Sequence, residues 1–200
     1  MPLWLKLAYT LFLAALVPIY WREYGPSVFL WFCDISLFLV LISLWFELPL
    51  PASMAALLVL PDVGWIVDLV ARLLFGVSIG GFASYMFDSY WPLYVRLVSL
   101  FHLWLPVLLI WLIWRLGYDR KAILAQSILA WIVLACCYCF TSPQDNINWI
   151  FRPAREDRPM EHPLLYFWAV MALLPVAGFG AMHLLFRWLF KSPHGEAGGR

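Results

Sequence analysis

The sequence is poor in charge. Only 12% of its 200 residues are Asp, Glu, Lys or Arg, against roughly 25% in a soluble domain, and this excludes an ordinary cytosolic globule. Neither sign is in excess, since 13 basic and 12 acidic side chains leave a net charge of +1. No basic run is long enough to form a binding arm, so nucleic acid is excluded as a partner. A Gly-rich phosphate loop and metal-ligand spacing are both missing, and no cofactor is expected. Cysteine is scarce: Cys33 stands alone, and Cys136, Cys137 and Cys139 lie inside an apolar run. Cysteine commonly packs there as a small hydrophobe, whereas a metal site would add partner ligands. No internal repeat of the inverted-transporter kind is visible.

Apolar length is what the chain has in quantity. Of its residues 64% are hydrophobic and 18% aromatic, and stretches of about 20 apolar residues, enough to cross roughly 30 Å of hydrocarbon, recur. An all-α polytopic membrane bundle is expected, one integral membrane domain over residues 1–200 with no room for a soluble one. Six spans are read near 3–20, 28–47, 63–85, 96–116, 122–140 and 164–190, with a polar loop at 141–163 and a short tail at 191–200. Ahead of the third span, Ala52 to Leu60 reads as a short separate segment broken off by Pro61 and Asp62, so that seven elements is the alternative count. Gly76 and Gly80, four apart, with Gly81 and Ala83 adjoining, suggest a face on which another helix approaches closely. Pro106 and Pro175 are expected to kink their helices. Leu3 to Pro18 reads as a retained helix, because its n-region has one Lys and no small-x-small site precedes Trp21, Arg22 and Glu23. With six spans, Lys6, Arg115, Arg120, Lys121, Arg187, Lys191 and Arg200 share the side of the termini, seven against five (Arg22, Arg96, Arg152, Arg155 and Arg158) opposite. The positive-inside rule then places both termini in the cytoplasm.

Ionisable side chains at membrane depth cost at least about 2.5 kcal/mol each, so each invites a reason. They are Asp34, Asp68, Arg72, His102 and His183. At 1.5 Å per residue, Asp34 and His102 each lie roughly 9 Å into helices that start on the same side, so the two could meet. Asp68 and Arg72, four apart, share a helix face and are expected to form a structural ion pair. His183, near the end of the last helix, suits an interfacial role. A functional reading makes His102 an acid or base in a polar cavity, with Asp34 orienting it or acting as the working carboxylate. The plainer reading is a lattice of buried polar groups that fixes helix packing. Candidate nucleophiles are Cys33, Ser36 and Ser99, although a hydroxyl in a membrane helix usually bonds its own carbonyl four residues back. Asp145, Asn146 and Asn148 precede Trp149, Ile150 and Phe151, which suits an anchoring loop or a lid with an aromatic tip.

Three short motifs resemble a known family. Tyr24-Gly25 is followed by Phe29-Leu30-Trp31-Phe32-Cys33-Asp34, similar to a Phe-Leu-Thr-Phe-x-Asp pattern. Leu60-Pro61 followed by Val63-Gly64 is similar to Phe-Pro-Val-Gly, and His102-Leu103-Trp104-Leu105-Pro106 to His-x-x-x-Leu-Pro, one residue shorter. In this order they resemble the androgen-induced and androgen-dependent membrane proteins, six-helix intramembrane hydrolases of fatty acid esters of hydroxy fatty acids. The resemblance implies a six-helix fold, with His102 at the position of the family's His and Asp34 at that of its acid. Trp31 stands where the family has its nucleophilic Thr, and an indole cannot be acylated. Thr-type hydrolysis is therefore lost, or Cys33 or Ser36 replaces it. Membrane proteins that use an intramembrane Cys and His for acyl transfer are similar in outline, with Cys33 as the corresponding thiol. The expected function is a polar pocket around His102 and Asp34 that binds or hydrolyses an acyl lipid, with membrane lipids as its partners. The alternative is a non-enzymatic scaffold or complex subunit. A transporter ranks third, because the intramembrane charges favour one half of the bilayer.

Overall fold

Helices account for all the regular secondary structure among the described residues, 1–153 and 160–190 of a computed structural model. The helices are α1 (Leu3–Tyr24), α2 (Phe32–Phe46), α3 (Pro49–Ala56), α4 (Val59–Phe75), α5 (Leu93–Val98), α6 (Phe101–Leu116), α7 (Ala122–Phe140), α8 (Pro163–Leu173) and α9 (Gly180–Leu189). Four runs are long and apolar enough to cross a membrane: α1, α5 with α6, α7, and α8 through α9. The pair α3 and α4, bent by 44°, makes a fifth if it is one broken span. At 15 residues, α2 is shorter, about 22 Å at 1.5 Å per residue. The exterior is rich in large apolar side chains. Leu11, Phe75, Val107, Leu124, Leu165 and Leu184 are all largely exposed, on a scale that soluble monomers avoid.

The observed bounds of α7 are those expected, while two other elements differ for local reasons. Pro61 does not break a helix; it sits in the first turn of α4, where its missing N–H would be unpaired in any case. The break falls earlier, at Leu57 and Leu58. Nor does the third span run on to residue 85. Gly76 takes a left-handed conformation (φ 70°) and returns its N–H to the Arg72 carbonyl, ending α4 at Phe75. Gly76, Gly80 and Gly81 therefore build a turn and not a helix contact. Close approach occurs instead at α3, where Ala52, Ser53, Ala55 and Ala56 are fully buried against α2, α6 and α7. Small side chains there let four helices pack with little backbone separation.

Pro106 and Pro175 each leave a carbonyl without its helical N–H partner. Pro175 opens a π-helical turn over Leu174–Phe179, and the Met171 carbonyl four residues before it accepts the indole N–H of Trp131 at 2.8 Å. In α6, Pro106 has no N–H to give the His102 carbonyl. The turn before it tightens, with His102 N–H reaching Ser99 O at 3.3 Å and Leu103 N–H reaching Leu100 O at 3.0 Å.

Glu47, in the left-handed region after α2 (φ 54°), receives Lys6 Nζ at 2.8 Å and the N-terminal ammonium at 2.7 Å. The hydrogen bond from Lys6, helped by that from the terminus, pulls its carboxyl down to about 2 from 4.5. A depressed carboxyl stabilises the fold above its unfolded value and loses that contribution as pH falls through its folded one. Part of the wild type's acid sensitivity between pH 4.5 and 2 is therefore expected to vanish in Glu47→Gln. Melting midpoints across that window check it, and parallel curves would refute it. The effect is small because the group is exposed.

Candidate functional site

A cavity of about 320 Å³ opens between α1, α2, α4 and α6. Three connections close over it: residues 25–31, 76–92 and 141–153. They are tied to one another and to the helices. Phe82 meets Trp149 edge to face with centroids 4.9 Å apart, and Tyr24 lies 4.4 Å from Trp91. The long loop also caps α2. Asn148 Oδ1 accepts the Phe32 N–H at 3.0 Å, one of the first donors of that helix, while Nδ2 donates to Leu30 O at 2.7 Å. Because Trp31 offers no capping side chain, residue 148 performs that task from far along the chain. Its polar part thus works inside the protein, and Ile147 and Ile150 are buried.

Asp68 holds the second connection in place. Its Oδ1 accepts from Ser78 Oγ (2.9 Å), Ile79 N (2.7 Å) and Gly80 N (3.1 Å), and Oδ2 accepts from Ala83 N (2.8 Å). The expected ion pair with Arg72 is therefore corrected. Backbone donors of the irregular segment occupy the carboxylate, and the Arg72 guanidinium lies over the Phe87 ring, 4.8 Å from its centroid. Irregular backbone that leaves the ladder of a helix needs other acceptors for its N–H groups, and one ionised side chain supplies several.

Cys33, Asp34, Ser99 and His102 all line the cavity. His102 stacks between Trp65, at 4.7 Å, and Phe101, at 4.1 Å. Its Nδ1 donates to Ser99 O at 2.8 Å. A carbonyl only accepts, so Nδ1 carries a proton and Nε2 has the lone pair in the neutral ring. Nε2 faces Asp62 Oδ1 at 3.7 Å. Asp62 is the residue the sequence reading missed, having been treated only as the companion of Pro61. The signal available was a carboxyl three residues before Trp65 and six before Asp68 on an otherwise apolar helix. Asp34, in the first turn of α2, accepts the Cys33 thiol on Oδ2 at 3.7 Å. Its Oδ1 and both oxygens of Asp62 have no hydrogen-bond donor among the described residues.

Ser99 is placed differently. Its hydroxyl donates to Val95 O at 3.1 Å and shares a 2.8 Å hydrogen bond with Tyr20, so its proton is directed to its own helix and not to a base. Ser36 is fully buried away from the cavity lining. His183 is remote, its Nδ1 paired with the Tyr118 hydroxyl at 2.8 Å. Compared with protein-family models, with curated proteins and with solved structures, the chain matches none.

Proposed function

We propose that this is a six-span membrane protein, its termini in the cytoplasm, whose cavity binds an acyl lipid and cleaves its ester through Cys33. In this reading α2, extended by the 3₁₀ turn at Pro26–Leu30, and the bent pair α3 with α4 each form one span. Of the basic residues weighed for orientation, Arg155, Arg158, Lys191 and Arg200 lie outside the described residues, as does the tail at 191–200. One observation carries the reaction: a thiol directed at a carboxylate lines the same aromatic-walled cavity as His102, whose Nε2 bears the lone pair and faces Asp62. The Cys33 proton passes to Asp34 as sulfur attacks the acyl carbonyl carbon. The carbon–oxygen bond to the alcohol breaks, and the proton on Asp34 goes to the departing oxygen. Water, losing a proton to His102 Nε2, then attacks the thioester and releases the fatty acid. That proton returns to the Cys33 sulfur, and Asp62 stabilises the imidazolium formed in between. The resemblance to the six-helix hydrolases supports cleavage of a fatty acyl ester, with sulfur replacing the threonine oxygen.

A second reading, a scaffold whose buried polar groups only join helices, draws support from Asp62 and His102, which link α4 to α6. Labelling of purified protein with a lipid-like acyl thioester probe and with a fluorophosphonate separates the two. The acyl probe is expected to label the wild type and Ser99→Ala, to leave Cys33→Ala and Asp34→Asn unlabelled, and to stay longer on His102→Ala, which acylates but hydrolyses the thioester slowly. A folded wild type that takes up neither probe would leave the scaffold.

A further inference from the structure

We infer that the cavity's ligand carries an alkylammonium group, held over Asp34 by aromatic faces; as the ligand of the ester-cleaving site, it rests on the reading above. Three observations converge. The first is charge. Asp34 lines the cavity and Asp62 lies behind His102, but no lysine or arginine lines it among the described residues. Arg72 sits on Phe87, and Arg96 Nη1 is turned to the Met86 carbonyl at 3.2 Å. The N-terminus of α2 offsets only about half a unit of this acidity.

The second is an unmet valence. Asp34 is 2% exposed, and its Oδ1 receives no hydrogen bond. A buried carboxyl oxygen without a donor is costly, and a ligand N–H or a cationic methyl group in the cavity would supply the missing partner. The third is the wall. Trp31, Trp65, Trp91 and Trp149 all contribute to it, with Tyr24 and Tyr85. Indole and phenol rings around a carboxylate are the surroundings that favour a soft organic cation over a hydrated one. The described residues bring no three metal-ligating side chains together, so an inorganic divalent ion has too few donors here. In size, about 320 Å³ is at the low end of small-molecule sites. It accommodates a headgroup and the adjoining ester but not two whole acyl chains. Choline and ethanolamine, free or as lipid headgroups, share the chemistry required.

Cys33 is a built-in reporter, and Cys139, which is exposed, is its internal control. Purified wild-type protein in a neutral detergent is treated with methanethiosulfonates bearing a trimethylammonium or a sulfonate group. Modification of each cysteine is read by peptide mass spectrometry. Relative to Cys139, Cys33 is expected to prefer the cationic reagent by roughly tenfold or more, and Asp34→Asn to remove most of that preference. Choline is expected to protect Cys33, and its uncharged isostere 3,3-dimethylbutanol is not. Equal rates with both reagents, or equal protection by choline and the isostere, would overturn the inference even if Asp34→Asn failed to fold. Protection by soluble choline or ethanolamine assigns a free amine. Protection only in nanodiscs containing phosphatidylcholine or phosphatidylethanolamine, and not phosphatidylglycerol alone, assigns a lipid headgroup. Choline protection without acyl labelling would keep the ammonium site and remove ester cleavage. Acyl labelling without charge preference would do the reverse.

Discussion

Asp68→Ala is expected to release residues 76–92 from α4 and to destabilise the protein by about 3 kcal/mol. The carboxylate accepts three backbone N–H groups and the Ser78 hydroxyl. Of those donors, Ala83 N–H is the buried one, in a cluster with Trp65 and Leu69. Each buried donor left without an acceptor costs about 1 to 3 kcal/mol, and partial access to water lowers the total. Asp68→Asn separates the contributions. Its amide oxygen can still accept at the Oδ1 position, but the nitrogen opposite Ala83 N–H cannot accept, so an intermediate loss is expected. Since Gly81, Phe82, Tyr85 and Trp91 form part of the cavity wall, Asp68→Ala should also admit bulky thiol reagents to Cys33 and proteases to the segment. Denaturant or thermal unfolding with limited proteolysis checks both. A variant as stable and as protected as the wild type would show that the segment is held by its apolar contacts alone.

Asp68 also marks where the sequence stops being legible. Spacing of four correctly says that it and Arg72 can share a helix face. It is silent on the donors that arrive from 10 to 15 residues downstream, because a glycine turn at residue 76 has to be recognised before that segment can fold back. Read as a contact face, the same glycines prolonged the third span. By contrast α7, apolar except for Gln126 and Ser127 between the polar residues at 119–121 and 141–146, is legible to its ends. Depth is less so. A rise of about 1.5 Å per residue, counted from residue 28, puts Asp34 and His102 at one level, whereas α2 begins at Phe32 with Asp34 in its first turn; what the structure gives is that Asp34 and His102 line one cavity. Lateral neighbours are not encoded in that arithmetic. Asp62, on a helix whose start was misplaced, is the group that stands 3.7 Å from His102. The capping of α2 by Asn148 escapes any local rule, since more than a hundred residues separate donor and acceptor.

The pairing of Asp62 with His102 carries the remaining large effect. His102→Ala leaves a fully buried carboxyl without the group it faces and removes an imidazole stacked between two aromatic rings. A loss of about 3 kcal/mol or more is expected from the vacated volume and the lost ring contacts. Asp62→Ala strands less, because His102 Nδ1 keeps its bond to Ser99 O, and about 1 to 2 kcal/mol is expected. Groups that face each other at this range couple, so the double variant should cost less than the sum of the singles by about 0.5 to 3 kcal/mol. Unfolding midpoints of the four proteins measure the coupling. If it vanishes, the 3.7 Å approach is incidental to stability, and Asp62 is free to serve the imidazolium alone. If it is large while Asp62→Asn still releases the acyl label at the wild-type rate, the pair joins α4 to α6 and chemistry rests on Cys33, Asp34 and the Nε2 of His102. The double variant decides between a carboxyl that holds a helix and one that holds a proton.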